Sequence, residues 1–132
     1  MKSILVPIDF SPTSFNTVWY AFNMAEKTNS QMVFIHCFRV SNNDVFLPGD
    51  LLNEILYDNY EEAKVIFKSK IISFLKYKCS EQKRLEKVKM KFDLIYGSPV
   101  DCILERINYY DSDIIVMGTH GATNSRRRIF GT

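Results

Sequence analysis

Residues 118–132, GTHGATNSRRRIFGT, combine glycines, arginines and a hydroxyl at spacings suited to holding an anion. Gly118 and Gly121 leave backbone N–H groups open to close approach, because glycine has no side chain. A loop of exposed N–H groups leading to a helix N-terminus attracts phosphate through unsatisfied donors and the helix dipole. Gly131 and Thr132 add a donor and a hydroxyl, and the guanidinium groups match phosphate oxygens. On glycine spacing alone, an ordinary turn with solvated arginines is an equally good interpretation.

Two better-known phosphate loops are absent from the sequence. The Walker pattern G-x-x-x-x-G-K-[ST] does not occur, and no G-x-G-x-x-G follows the first apolar run. The sequence therefore excludes an ordinary P-loop nucleotide hydrolase and a Rossmann dehydrogenase.

Length and charge limit the classes of protein to consider. The 132 residues suffice for one domain with a real core, but not for two of ordinary size. A net charge of +2 gives no overall attraction for nucleic acid or an anionic membrane, so any electrostatic role must be local. No segment approaches the roughly 20 apolar residues of a membrane-spanning helix. The arginine triplet 126–128 has no interleaved aromatic residues, which disfavours a nucleic-acid patch.

The cysteine content indicates a reducing environment. Cys37, Cys79 and Cys102 are odd in number and share no metal-ligand spacing. Two of them fall in apolar segments, where a free cysteine behaves as a small core residue. We therefore expect a cytoplasmic protein without a metal site of its own.

Four short segments predict β-strands. They are SILVPID (3–9), QMVFIHCF (31–38), VKMKFDLIYG (88–97) and DIIVMG (113–118). Continuous apolar runs are typical of strands that are buried on both faces of a parallel sheet. The segment 88–97 instead alternates apolar and polar residues, which predicts a strand nearer the sheet edge.

Helical patterns separate these strands. Ser11 is a predicted N-cap with Pro12 at the first helical position, and Ser98 has the equivalent place before the third helix. Apolar residues also keep a helical period from about 51 to 82. The polar residues 39–50 predict a loop that is long enough to serve as a lid or a binding loop.

The resulting β-α-β-α-β-α-β order predicts an α/β fold with a doubly wound parallel sheet and helices on both faces. Ligands of such sheets bind beyond the carboxyl ends of the strands, where the strand order reverses. The residues predicted at those ends are Pro7, Ile8, Asp9 and Phe10 after strand one, His36, Cys37 and Phe38 after strand two, Gly97 and Ser98 after strand three, and Gly118, Thr119, His120 and Gly121 after strand four.

Three polar residues at these ends each have two interpretations. Asp9 could cap the turn before the first helix, but Ser11 and Pro12 are better placed for that, which favours contact with a ligand. His120 could act as a general base, although no Ser, Cys or second acid accompanies it at a meaningful spacing; a supporting or solvent-facing histidine is favoured. His36, inside an apolar strand, is favoured as a satisfied core residue or a wall of the pocket.

The glycine pattern, Gly118-x-x-Gly121, nine residues, then Gly131-Thr132, resembles the G-2x-G-9x-G-[S/T] signature of ATP-binding universal stress proteins. The opening ILVPIDFS looks like the first strand and turn of that family. VFIHCF is similar to its second strand, and GSPVDCILERINYYDSDIIVMGTHG to its third helix and fourth strand. The three motifs occur in the family's order, and the resemblance spans essentially the whole chain apart from the nonspecific region 39–90.

The resemblance implies an adenine nucleotide alpha hydrolase-like three-layer sandwich with strand order 3-2-1-4-5 and ATP between strands one and four. It implies that Asp9 contacts the adenosine moiety, that Cys37 meets adenine through its backbone, and that Met117 flanks the ribose and phosphates. Many members bind Mg²⁺ or Mn²⁺ with the triphosphate. The cofactor-binding residues implied in this way are Pro7, Ile8, Asp9, Cys37, Met117, Gly118, His120, Gly121, Arg127, Gly131 and Thr132.

Members of the family continue after the final Gly-Ser or Gly-Thr into a helix and a fifth strand, whereas this sequence stops at Thr132. We therefore expect residues 1–132 to be a single universal stress protein domain that is truncated, or the first part of a longer protein such as a tandem one. Family dimers often join through the fifth strand, and without it strand four leaves an exposed apolar edge for pairing. The expected partners are an adenine nucleotide and a second copy or tandem domain, with no nucleic acid and no membrane.

Three functions remain open. The leading hypothesis is a regulatory ATP binder of the stress-response type with little or no hydrolysis, because the phosphate cradle has no positioned base or evident metal pair. An enzyme acting at the α-phosphate of ATP, as in related adenine-nucleotide α-hydrolases, would carry a serine-glycine-rich loop after strand one, whereas DFSPTS has no glycine. A partner-binding module without nucleotide ranks third, since the glycine signature is retained.

Overall fold

The computed structural model describes residues 3–38 and 60–118, which form one parallel sheet with helices on both faces. The strands are β1 (Ser3–Pro7), β2 (Gln31–Phe38), β3 (Met90–Tyr96) and β4 (Ile114–Ile115). The helices are α1 (Pro12–Thr28), α2 (Tyr60–Lys78), α3 (Gln82–Lys87) and α4 (Pro99–Tyr110). The sheet order β3-β2-β1-β4 confirms the doubly wound α/β fold and the strand order 3-2-1-4 predicted for these four strands.

The central strand β1 pairs with a neighbour on each side. On one side it runs parallel to β2 from Ser3↔Gln31 to Pro7↔Ile35. On the other side only Ile4 and Leu5 pair, with the two residues of β4. Because the chain proceeds from β1 through β2 to β3 and then returns to the far side of β1, the strand order reverses between β1 and β4.

Alternate side chains of the strands enter two cores, since successive residues of a strand face opposite sides of the sheet. The larger core lies beneath α1 and α2 and includes Ile4, Val6, Ile8, Val18, Phe22, Phe34, Phe67 and Ile71. The smaller core lies beneath α4 and includes Leu5, Val33 and Ile35, with Ile103 and Ile107 packed against them. Each such side chain contributes about 1.5–3 kcal/mol on burial. The sheet is therefore held from both faces.

Both predicted helix N-caps are confirmed. The Ser11 hydroxyl accepts a hydrogen bond from the Ser14 N–H at 3.2 Å, and proline follows it at the first position of α1. The Ser98 hydroxyl accepts from the Asp101 N–H at 3.4 Å, again with proline next in the chain. Each cap satisfies one of the backbone donors that a helix leaves unpaired at its start. The two caps therefore fix where α1 begins after β1 and where α4 begins after β3.

The helix predicted to reach about residue 82 is wrong at its carboxyl end. It ends at Lys78, and a separate helix, α3, follows the buried Cys79. Tertiary contacts stabilise this six-residue helix: Leu85 is buried, and Arg84 makes a bidentate ion pair with Glu26 of α1, both distances being 2.7 Å. Local periodicity cannot predict such a helix. The start of the predicted helix and the loop 39–50 lie outside the described residues.

The two outer strands differ from the predicted segments in length. β3 is the edge of the described sheet, as its alternating sequence predicts, and it occupies Met90–Tyr96 within the predicted 88–97. Its outer edge is covered at one point, where the Tyr60 hydroxyl donates to the Leu94 carbonyl at 2.5 Å. β4 is much shorter than the predicted 113–118, because regular pairing covers only Ile114–Ile115.

Candidate functional site

The carboxyl ends of β1 and β4 lie at the switch point of the sheet, where the strand order reverses. The ladder between these strands ends with the Val116 N–H, which donates to the Leu5 carbonyl at 2.9 Å. Beyond it, Pro7 to Asp9 follow β1, and Met117 and Gly118 follow β4. In doubly wound sheets this is the place where ligands bind. The candidate site therefore comprises these two chain segments.

Asp9 holds the turn between β1 and α1. Its Oδ1 accepts from the Ser11 N–H at 3.0 Å and also from the Ser14 hydroxyl. The Asp9 N–H in turn donates to Ser14 Oγ at 3.0 Å. These bonds fix the orientation of the half-buried carboxylate. Asp9 thus supports the turn in addition to the Ser11 cap, while its contact with a ligand stays a prediction.

Phe10 occupies the left-handed region of backbone conformation, with φ of 64°. This conformation is uncommon for a bulky residue and costs of the order of 1–3 kcal/mol. Aromatic packing offsets that cost, because the Phe10 ring meets the His36 ring at 4.9 Å and the Phe67 ring at 5.6 Å between centroids. The strained residue is thus anchored in the larger core directly after Asp9.

His36 is a buried residue behind the same turn. Only 5% of its surface is exposed, and its Nδ1 lies 2.6 Å from the Ile8 carbonyl. A carbonyl can only accept, so Nδ1 carries the proton and donates. Ile8 is also held through its N–H, which donates to the Ile35 carbonyl at 2.8 Å. Of the two interpretations left open for His36, the structure shows the core residue.

Gly118 lies against the first turns of α1. A Cβ at this position would come within 3.0 Å of the Thr13 methyl carbon, Cγ2, and to 3.4 Å from Thr17 Oγ1. Separations under 3.0 Å are not found for real Cβ atoms, so only glycine allows this approach. The neighbouring Met117 is exposed. The first glycine of the proposed phosphate loop therefore brings β4 into contact with the N-terminal turns of α1.

Cys37 lies one strand away, at the end of β2. Two residues beyond the pair Pro7↔Ile35, β1 reaches Asp9 and β2 reaches Cys37, so both lie at the same edge of the sheet. Burial, together with a hydrogen bond to the Cys102 thiol, raises the pKa of Cys37. The thiol therefore stays protonated, which agrees with a backbone role for Cys37 rather than a thiolate role.

The turn after β3 also requires glycine. Gly97 has φ of 145°, a conformation that side chains disfavour, and a Cβ there would lie 3.1 Å from Cys102 Sγ. This turn leads to the Ser98 cap of α4. Cys102 of α4 then lies beside Cys37.

The structure brings Pro7, Ile8, Asp9, Cys37, Met117 and Gly118 to one edge of the sheet. The other five implied residues lie outside the described part of the chain: His120, Gly121, Arg127, Gly131 and Thr132.

The sequence did not indicate the contacts that Thr13 and Ser14 make at this edge, nor that Phe10 anchors the turn in the larger core. The serines of DFSPTS are a usable signal for Ser14, since hydroxyls near a helix start often bond an acidic residue before it. No sequence pattern indicates the contact between Thr13 and Gly118.

Two structural properties hold for residues 3–38 and 60–118. No group of three or more His, Cys, Asp or Glu side chains in these ranges is arranged to hold a metal ion. Within the same ranges, every helix is too short or too polar to cross a bilayer.

Comparison with known proteins gives matches along the whole chain. The model of the Universal stress protein family matches residues 1–132. Universal stress protein MJ0531 of Methanocaldococcus jannaschii is 29% identical over 135 residues, covering 99% of this chain and 72% of the relative. The solved structure of MJ0577, a protein of the same organism, has a TM-score of 0.61 at 27% identity and covers 95% of this chain and 79% of that one. A universal stress protein solved in complex with cAMP has a TM-score of 0.56 at 17% identity, and the match covers 87% of this chain and 74% of that one.

Proposed function

Because the chain belongs to the universal stress protein family, we propose that it binds an adenine nucleotide, ATP foremost, in the crevice between β1 and β4. In this proposal it is a regulatory nucleotide binder with little or no hydrolysis. Its expected setting is the cytoplasm and its expected assembly a homodimer or a tandem pair.

The observation that carries the proposal is the position of Gly118. The first glycine of the G-2x-G-9x-G-[S/T] pattern lies at the switch point, against α1 and across the crevice from the Asp9 turn. A glycine there allows a ligand and the backbone to approach closely, and an adjacent helix N-terminus favours negative charge. The complex of a related fold with cAMP supports an adenine nucleotide as the ligand class.

We assign the nucleoside to the described part of the site. Asp9 would contact the adenosine moiety, Pro7 and Ile8 would line the pocket, and the Cys37 backbone would meet adenine. Met117 would flank the ribose and Gly118 the phosphates. The residues that we propose for the phosphate groups, with Mg²⁺ or Mn²⁺ accompanying the triphosphate, are His120, Gly121, Arg127, Gly131 and Thr132.

The regulatory rather than enzymatic assignment rests on the sequence. His120 has no Ser, Cys or second acid at a spacing meaningful for catalysis, and the turn after β1 has no glycine. A nucleotide-processing enzyme would need a positioned base or a nucleophile beside the phosphates.

The first experiment is to release small molecules from freshly purified protein by heat and identify them by mass spectrometry. Titration calorimetry would then measure affinity for ATP, ADP, AMP and cAMP, with Mg²⁺ or with a chelator. We expect ATP or another adenine nucleotide to be recovered and to bind with ordinary saturation. Asp9→Asn should weaken every adenine ligand, whereas Asp101→Asn on α4 is a control that should not.

Two outcomes would contradict the proposal. One is the absence of any bound nucleotide together with no heat of binding for any of the four ligands. The other is an equal loss of affinity for adenine ligands in the Asp9→Asn and Asp101→Asn proteins. Steady release of AMP and pyrophosphate would instead favour the enzymatic alternative.

A further inference from the structure

The pairing of β1 stops earlier on one side than on the other. With β2 it continues to Pro7↔Ile35, but with β4 it ends at Leu5↔Ile115. Both partners continue beyond this point in the chain, since Val116, Met117 and Gly118 follow β4. The early end of this ladder lies at the proposed nucleotide site and therefore needs a physical cause.

The direction of the backbone groups of β1 supplies that cause. The Ser3 carbonyl accepts from the Asp113 N–H, and the Leu5 carbonyl accepts from the Val116 N–H, each at 2.9 Å. Residues of odd number in β1 thus face β4, because backbone groups alternate in direction along a parallel strand. Pro7 is the next residue to face β4, and its partner in the ladder would be the Val116 carbonyl. Proline has no N–H, so that bond cannot form.

We propose that Pro7 is a positioning residue for the nucleotide: it ends the β1–β4 ladder and leaves the Val116 carbonyl to accept a donor from the ligand. This inference rests on the proposed function. It also predicts which end of the nucleotide binds here. The carbonyls of Val116 and Pro7 are both hydrogen-bond acceptors, and both belong to the facing ends of β1 and β4. Two acceptors repel phosphate oxygens and attract the N–H and O–H donors of a nucleoside.

The path of the chain after β4 agrees with this role. Freed from β1, the chain continues to Gly118, which lies against Thr13 and Thr17 of α1. The nucleoside end of the crevice is thus bordered by Pro7 and Val116, and the phosphates extend from Gly118 onward. Proline also occurs at strand ends for structural reasons alone, so the experiment must separate the two roles.

The experiment compares Pro7→Ala with the matched control Pro99→Ala, which changes the first residue of α4, where an N–H has no helical partner. Hydrogen exchange of the nucleotide-free protein would follow the amide introduced at position 7. We expect it to be protected at least tenfold relative to an unstructured amide, as a ladder hydrogen bond requires. Thermal stability should change little, because the gained hydrogen bond offsets the freedom that the unfolded chain gains when proline is removed. Affinity for adenosine and for ATP should fall by the same factor, about tenfold, because a hydrogen-bond partner of the ligand is lost.

Two results would overturn the inference: rapid exchange at position 7, or unchanged affinity for adenosine relative to Pro99→Ala. Pro7→Val, which favours a strand more strongly, is the second variant. Unfolding of both variants contradicts the expected gain of a hydrogen bond and also overturns the inference. If the parent chain binds no nucleotide, the proposed function fails, while hydrogen exchange at position 7 still decides whether Pro7 ends the ladder.

Discussion

Replacing Gly118 with alanine tests the contact between β4 and α1. The added Cβ would come within 3.0 Å of Thr13 Cγ2, so either β4 or the first turn of α1 must shift. Overpacking of this kind costs about 1–3 kcal/mol. Gly118 does not have a positive φ, so alanine also gains about 0.4–1 kcal/mol by restricting the unfolded chain. The steric cost is larger, and we expect a net loss of about 1–2 kcal/mol in the free energy of unfolding.

The assay is urea denaturation followed by circular dichroism, with thermal melting as a second measure. A loss of this size should lower Tm by roughly 4–8 °C in a domain of this length. Thr13→Ser is the matched partner, because it removes only the Cγ2 methyl and keeps the hydroxyl. The double variant should regain most of the lost stability. Affinity for ATP should rank the parent, the two single variants and the double variant in the same order as their stability.

Two results would refute this reasoning. A Gly118→Ala protein as stable as the parent would show that β4 or α1 moves without cost. A double variant no more stable than Gly118→Ala would show that the Thr13 methyl is not what the added carbon meets.

Three further predictions concern the elements that support the site. Ser98→Ala removes the cap of α4 and should lower the free energy of unfolding by about 1 kcal/mol in urea denaturation; an unchanged midpoint would contradict this. Gly97→Ala should cost about 1–3 kcal/mol, because it meets Cys102 Sγ and has φ of 145°; Cys102→Ala should restore only part, since the backbone strain remains. Arg84 lowers the pKa of Glu26 below its ordinary value of 4.5, chiefly through its hydrogen bonds. The stability from this pair is present above pH 4.5 and is lost as the pH falls through the lowered folded value. Urea midpoints of the parent and Arg84→Met should therefore differ most near pH 7 and approach each other below about pH 4; a pH-independent gap would contradict the linkage.

Much of the fold could be predicted because its signals are local. Continuous apolar runs indicate buried parallel strands, and the alternation in β3 places it at an edge. Ser11 and Ser98, each followed by proline, mark the two helix starts. These features depend on neighbours in the sequence, so the sequence contains them directly.

The remaining features depend on contacts between distant residues. The short helix α3 is stabilised by the ion pair of Arg84 with Glu26, 58 residues away in the chain. The contact of Gly118 with Thr13 likewise joins the two ends of the described chain. The predicted strand 113–118 is longer than β4 because apolar character continues to Met117, whereas further pairing needs a donor that Pro7 of the neighbouring strand lacks. No periodicity within a segment reveals what the adjacent strand can donate.

The two edges of the described sheet differ, because the Tyr60 hydroxyl donates to the Leu94 carbonyl on the outer edge of β3. At β3 an outward acceptor is already occupied by a side chain, so an incoming strand would have to displace it. At the other edge, β4 pairs through two residues with β1 and has no second neighbour among the described strands. If the protein pairs through its sheet as proposed, the described residues favour the β4 side, which is also the side of the proposed nucleotide site. If such an association changed the affinity for the proposed nucleotide, the two equilibria would be linked, and the nucleotide would change the association constant by the same factor.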